Sequence, residues 1–213
     1  MGLKKKIGCL HAHYSNIDYI ESAFSAYDLE LSHYVDPGLL YRLKNAQVSE
    51  AEKKVKDQIE WIAESGVDAI LITCTNYIAL LNRQHEVDIP IIKIDEPYFE
   101  ALCKTEQPQT ILFTNPDTVS GTMNRLQQYA KHHQKTLDIE VMVIENTFDL
   151  IMSGKNEEYQ NAVYHYVKQL DSNRSLSVAQ LSMVAAAQQV EQETSQTIIN
   201  PLNTLVTSMI QQL

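Results

Sequence analysis

Val67-Asp68-Ala69-Ile70-Leu71-Ile72-Thr73-Cys74 is an almost continuous apolar run that ends on a hydroxyl and a thiol. A strand with one face in water alternates apolar and polar side chains. A run without alternation reads as a strand covered on both faces, as in a parallel sheet flanked by helices. The neighbouring sequence agrees. Upstream, Ser49 to Ser65 puts Val55, Ile59 and Ile62 on one helical face, with Ser49 as cap and Gly66 as stop. Downstream, Ile89 to Ile94 reads as another strand, with Pro90 near its start, where a missing N–H is tolerated. Further back, Ile7-Gly8-Cys9-Leu10 reads as a buried strand whose entry is solvated by Lys4 to Lys6, and Ser15 to Ser25 as a helix. Leu29 to Val35 is an alternating strand closed by the turn residues Asp36-Pro37-Gly38. This order predicts parallel strands joined by right-handed crossovers.

The second half repeats the order. Strands are expected at Thr110 to Thr114, Asp138 to Ile144, Leu176 to Gln180 and Thr197 to Asn200. Helices are expected at Asp117 to His133, Glu157 to Leu170, Ser182 to Glu193 and Asn203 to Leu213. The halves align at an offset of about 104 to 108 positions, pairing Ile7–Leu10 with Ile111–Thr114 and Ala69–Cys74 with Ser177–Ser182. The fold expected is therefore α/β: two similar lobes, each a parallel sheet flanked by helices, with a site in the cleft between them. Residues 1–96 form the first lobe, 97–200 the second, and 201–213 a closing helix packed on the first. The boundary is placed near Ile94 to Glu100, where Asp95-Glu96-Pro97 breaks the pattern.

The chain has 213 residues, with 27 Asp plus Glu against 17 Lys plus Arg and a formal charge of −10. That balance argues against a nucleic-acid or anionic-membrane partner, and 44% hydrophobic residues argue against disorder. The basic start, Met1 to Lys6, is followed by an apolar stretch broken at His11 and His13, so it does not read as a signal peptide. No run is long enough to span a membrane. Three cysteines without C-x-x-C spacing give neither a disulfide framework nor a cysteine zinc site and fit a reducing cytoplasm.

In open α/β sheets ligands bind beyond the carboxyl ends of the strands. The residues there are His11, His13, Tyr14, Ser15 and Asn16; Cys74, Thr75 and Asn76; Thr114, Asn115 and Thr118; then Ser182 and Met183. No glycine-rich phosphate loop accompanies them, which disfavours a nucleotide enzyme. Cys74 is the most informative residue. It leaves a buried strand and precedes an expected helix, whose N–H groups are expected to lower its pKa; otherwise it is a small core residue. Cys9 and Cys103 read as structural.

The motifs "GVDAILITCTN" around Cys74 and "LFTNPDT" opening the second lobe resemble the aspartate/glutamate/hydantoin racemase superfamily. The resemblance covers the whole chain by order of elements. It implies a cofactor-independent isomerase of cytoplasmic amino-acid metabolism acting on a small carboxylate substrate, with no metal. Two cysteines, one per lobe, then move a proton at the carbon beside the carboxylate. Carried onto this sequence, Cys74 is the first-lobe cysteine and Ser182 stands where the second is expected. Thr75, Asn76, Thr114, Thr118, Ser15 and Asn16 are implied substrate contacts. With a serine at 182, three accounts stay open. Cys74 acts alone, as in the superfamily's decarboxylase and isomerase branches; Ser182, His11 or His13 substitutes as the second acid or base; or the chain only binds a small carboxylate. The resemblance also admits a homodimer.

Weaker candidates have plainer explanations. His11-x-His13 lies on an extended segment where the two rings are expected to diverge, against a metal pair. His132-His133 caps a helix end. Asp95-Glu96 reads as a solvated linker, and Tyr14, Tyr34, Tyr41 and Tyr98 as amphipathic surface fillers.

Overall fold

The computed structural model describes residues 4–44, 48–81, 87–170 and 173–212. Met1 to Leu3 of the basic start and Leu213 of the closing helix lie outside the described residues. The chain divides into two compact units that separate between Asp95 and Glu96, with the segment from Ser208 grouped with the first.

In the first unit, β1 (Lys5–His11), β2 (Leu29–Val35), β3 (Ala69–Ile72) and β4 (Ile91–Lys93) form an all-parallel sheet in the order β2-β1-β3-β4. The apolar run of β3 is central and buried along its whole length, whereas β2, at an edge, is half-buried except at Glu30 and Val35, which are exposed. The helices are α1 (Asn16–Phe24), α2 (Gly38–Lys44), α3 (Val48–Glu64) and α4 (Thr75–Ala79). The expected stripe of α3, Val55, Ile59 and Ile62, is buried. It lies so close to β1 that a Cβ on Gly8 would come within 2.4 Å of the Ile62 side chain, so that strand position requires glycine. Gly66 ends α3 at φ +80°, a left-handed conformation that glycine adopts without strain.

The second unit repeats this. β5 (Gln109–Phe113), β6 (Ile139–Val143), β7 (Ser175–Val178) and β8 (Ile198–Ile199) form a parallel sheet in the order β6-β5-β7-β8. Its helices are α5 (Asp95–Lys104), whose first residue belongs to the first unit, then α6 (Val119–His132), α7 (Thr147–Met152), α8 (Asn156–Gln169), α9 (Val184–Thr194) and α10 (Pro201–Gln212), whose end from Ser208 is grouped with the first unit. One core layer joins Tyr98, Phe99 and Leu102 of α5 to Ile111 and Phe113 of β5 and Leu126 of α6. The other joins Tyr159, Val163 and Val167 of α8 to Leu112, Val178 and Val190.

The expected strands and long helices are present within a few residues. The differences have physical reasons. Asp95-Glu96-Pro97 starts a helix instead of breaking the pattern, because proline in the first turn has no intrahelical N–H to lose. Asp95 is only 3% exposed and is no solvated linker. Tyr98 is core, at 2% exposure, its hydroxyl donating to Ser177 Oγ at 3.0 Å. α2 and α7 escaped notice because seven and six residues are too few to display a helical period. Among the described residues no helix is long and apolar enough to cross a membrane.

Candidate active site

β3 stops at Ile72, and the Thr73 N–H continues the ladder to Leu10 O at 3.1 Å. Cys74 then caps α4 with an extended backbone, and its carbonyl accepts from the Ile78 N–H at 3.0 Å. The thiol lies where the backbone N–H groups of Tyr77 and Asn76 reach it. Burial pushes the Cys74 thiol up to about 11; the Tyr77 and Asn76 N–H groups pull the other way, and the Asp95 charge adds to the rise. The donors foreseen from sequence are therefore present, but desolvation outweighs them and Cys74 rests as a thiol. Thr75 is half-buried and Asn76 exposed on the first turn of α4. Tyr77 is fully buried, and its hydroxyl donates to the Asp36 carbonyl, which ties α4 to the loop after β2.

The loop after β1 carries a second group of polar side chains. His13 Nδ1 accepts from the Ser15 N–H (3.2 Å) and lies 2.8 Å from Ser15 Oγ. Asn16 Nδ2 donates to Thr73 Oγ1 at 3.2 Å, which draws the start of α1 to the residue before Cys74. Thr73 Oγ1 lies 2.8 Å from His11 Nδ1, His11 Nε2 lies 2.8 Å from His33 Nδ1, and His33 Nε2 donates to Glu21 Oε1 at 2.9 Å. Burial, and then the His33 ring, pull His11 down to about 4, so this ring is neutral at neutral pH. The two loop histidines do not act as a pair. His11 is a fully buried strand residue, while His13 is exposed in the turn beyond. Residues two apart on a strand share a face, so it is the end of β1, not divergence along it, that separates them.

In the second unit the strand-end residues form a connected hydrogen-bond group. Tyr159, fully buried on α8, has its hydroxyl 2.7 Å from Ser182 Oγ and 3.0 Å from Thr114 Oγ1. Gln180 Oε1 accepts from the Thr114 N–H (2.7 Å), the Thr114 hydroxyl (2.8 Å) and the Asn115 N–H (3.1 Å). Thr118 donates its hydroxyl to Asn115 O at 2.8 Å. A cavity of about 450 Å³ opens beside Thr114, lined also by Pro116, Ile144, Asn146 and Asp149.

The strand registers relate the two units. Leu10 O accepts from Thr73 N, and Leu112 O accepts from Ala179 N. Ile70 pairs with Ile91 and Leu176 with Ile198. Position 74 therefore corresponds to 180, and Gln180 is an extended helix-cap residue as Cys74 is. Ser182 lies two residues further on, within a 3-10 turn, so the residue in register with Cys74 is Gln180 and not the Ser182 of the sequence alignment. Sequence reading missed Gln180 and Tyr159. The first was hidden by an offset of 108 in place of 106; the second stood on an apolar helix face where a tyrosine reads as core.

No protein-family model and no curated protein matches the chain. Solved structures do match over nearly its whole length. Aspartate racemase from Picrophilus torridus superposes with a TM-score of 0.71 at 12% identity, covering 98% of this chain and 94% of that one. Allantoin racemase from Klebsiella pneumoniae gives 0.69 at 19% identity, covering 98% and 87%. A glutamate racemase from Bacillus anthracis gives 0.69 at 13%, covering 97% and 80%. The chain has the fold of these aspartate, allantoin and glutamate racemases.

Within this racemase fold, Cys74, Thr75 and Asn76 share the end of β3, and Asn16 is hydrogen-bonded to the neighbouring Thr73. Ser15 belongs to the adjacent loop but bonds His13. Thr114 and Ser182 are joined through Tyr159, whereas Thr118 is engaged with its own turn.

Proposed function

We propose that the chain is a cofactor-independent, racemase-like isomerase acting at the carbon beside a carboxylate of a small amino or dicarboxylic acid. Cys74 is the proton-transferring group. The observation that carries this is a thiol at a β-strand's carboxyl end, facing two backbone N–H groups, in a chain with the racemase fold. As the substrate carbon gives up or takes a proton, those N–H groups stabilise the thiolate form of Cys74. Thr75, Asn76, Ser15, Asn16, Thr114 and Thr118 are the hydroxyl and amide groups assigned to the carboxylate and to the enediolate-like charge. Ser182, bonded to the Tyr159 phenol, is assigned the opposite face: it hands on a proton and recovers one through Tyr159.

A second reading has its own support. Cys74 rests as a thiol, and the hydroxyl partner of Ser182 is a phenol, not a carboxylate or imidazole. Both suit one-sided protonation, as in a single-cysteine decarboxylase, better than symmetrical two-base exchange. Incubation of small amino, dicarboxylic and malonic-type acids in D2O, with chiral chromatography and carbon dioxide detection, separates the cases. Exchange at Cα with inversion supports the racemase. Carbon dioxide release with one-handed labelling supports the decarboxylase. Turnover retained in Cys74→Ala would refute both, and binding without chemistry would make the chain a carboxylate-binding protein.

A further inference from the structure

Cys9 and His11 are two residues apart on β1 and share one face of the sheet, and register places His33 of β2 directly opposite Cys9. The Sγ of Cys9 and ring nitrogens of His11 and His33 all lie within 4.8 Å of one another. Three side chains on two adjacent strands, with the thiol and one imidazole fully buried and His33 partly accessible, make a donor set suited to a borderline-soft cation. We propose that this cluster is a zinc site of the first unit, with Cys9 Sγ, His11 Nε2 and His33 Nδ1 as its protein ligands.

The outer partners of the two rings carry the argument furthest. A metal-binding imidazole characteristically gives its other N–H to an oxygen acceptor, most often a carboxylate, a backbone carbonyl or water, which fixes tautomer and ring orientation. His33 does this with Glu21, since a carboxylate only accepts and His33 Nε2 must hold the proton; Nδ1 is left facing inward as a lone pair. His11 has Thr73 Oγ1 at Nδ1 and turns Nε2 inward, 2.8 Å from His33 Nδ1. Without metal, the chain is satisfied by the Thr73 hydroxyl giving to His11, His11 to His33, and His33 to Glu21. With zinc, the His11 proton moves to Nδ1 and donates to Thr73 Oγ1, whose own proton turns to Leu10 O at 3.4 Å. Every donor keeps an acceptor in both states.

The proton and charge balances also close. Zinc displaces one proton, from the Cys9 thiol, to solvent. The metal's two positive charges then meet one thiolate and the Glu21 carboxylate, leaving the cluster neutral. Tetrahedral zinc, about 2.0–2.1 Å from nitrogen and about 2.3 Å from sulfur, holds such ligands about 3.3–3.6 Å apart, so the side chains need to shift by about an ångström at most.

The test measures zinc per chain after dialysis against a weak competing chelator, together with thermal unfolding with and without added zinc and the spectrum of the cobalt(II)-substituted protein. The expected result is about one zinc per chain, a zinc-dependent rise in melting temperature, and a thiolate-to-cobalt charge-transfer band. Cys9→Ser and His33→Ala lose all three, while Cys74→Ser and Cys103→Ser keep them. Glu21→Gln weakens binding about 10- to 100-fold without abolishing it. His33 sits on an edge strand, and a Cys→Ser change preserves shape, so circular dichroism confirms that both variants fold. Zinc content that is the same in folded Cys9→Ser or His33→Ala as in wild type, or no retained zinc and no melting shift in the wild type, would overturn the proposal.

Discussion

The ionisation of Cys74 decides how the chain could do chemistry, and it can be measured directly. An ordinary thiol titrating near 9.0 is about 1% ionised at neutral pH; one pushed up to about 11 is only about 0.01% ionised. Alkylation by iodoacetamide follows the thiolate. Cys74 should therefore react about 100-fold more slowly than a free thiol at neutral pH, with a rate that climbs about tenfold per pH unit up to about pH 10 and levels beyond about pH 11. Peptide-level mass spectrometry separates Cys74 from Cys9 and Cys103, both buried in the folded chain. Asp95→Asn removes an upward influence and should move the inflection down. Stability carries the same sign. The folded chain holds a proton that the unfolded chain surrenders between pH 9 and 11, so the unfolded state binds fewer protons and stability falls as pH rises through that window. The loss is about 2–3 kcal/mol and should be absent in Cys74→Ser, whose alkaline unfolding is the comparison. Turnover gives a further reading: kcat/KM that falls towards pH 11 marks the thiol as the working form, and a tenfold rise per unit from pH 8 to 10 marks the thiolate. Levelling of the alkylation rate at or below pH 8.5 would refute the view that burial outweighs the Asn76 and Tyr77 N–H groups.

Other consequences are equally direct. Gly8→Ala forces a Cβ against Ile62 and should cost about 1–3 kcal/mol in denaturant unfolding. Gln180→Leu strips the acceptor from three donors around Thr114 and should destabilise the second unit by about 1–3 kcal/mol or more, read by the same titration. Tyr159→Phe cuts the link between Thr114 and Ser182; it should lower turnover more than it raises KM if Ser182 recovers its proton through the phenol. Ser182→Cys should raise racemisation relative to one-sided exchange, checked by chiral analysis in D2O; unchanged stereochemistry would exclude Ser182 from the opposite face.

Much of the fold was legible because burial writes itself into sequence period. β3 is a central strand buried along its whole length, so it appears as an unbroken apolar run; β5 is buried throughout as well, with Ile111, Leu112 and Phe113 as its apolar part, and α3 shows a clean stripe at Val55, Ile59 and Ile62. The repeated strand order followed from that pattern alone. The short helices α2 and α7 did not show, since six or seven residues carry no measurable period, and α5 was masked by a proline that its first turn accommodates.

The site divides in the same way. That Cys74, Thr75 and Asn76 stand at the carboxyl end of a central strand was legible in sequence, because it needs only the local order of elements. The protonation state of Cys74 was not, because it is a contest between nearby N–H groups, which sequence suggests, and burial, which depends on everything packed around the thiol. Gln180, Tyr159 and the Cys9–His11–His33 cluster likewise emerged only in three dimensions. Residues 9 and 33 are 24 positions apart and meet because β1 pairs with β2 in one register; a slip of one residue would turn His33 to the other face of the sheet. Sequence determined which side chains stand at the strand ends. Tertiary structure decided which of them touch and which are dry, and hence which can hold a proton or a metal.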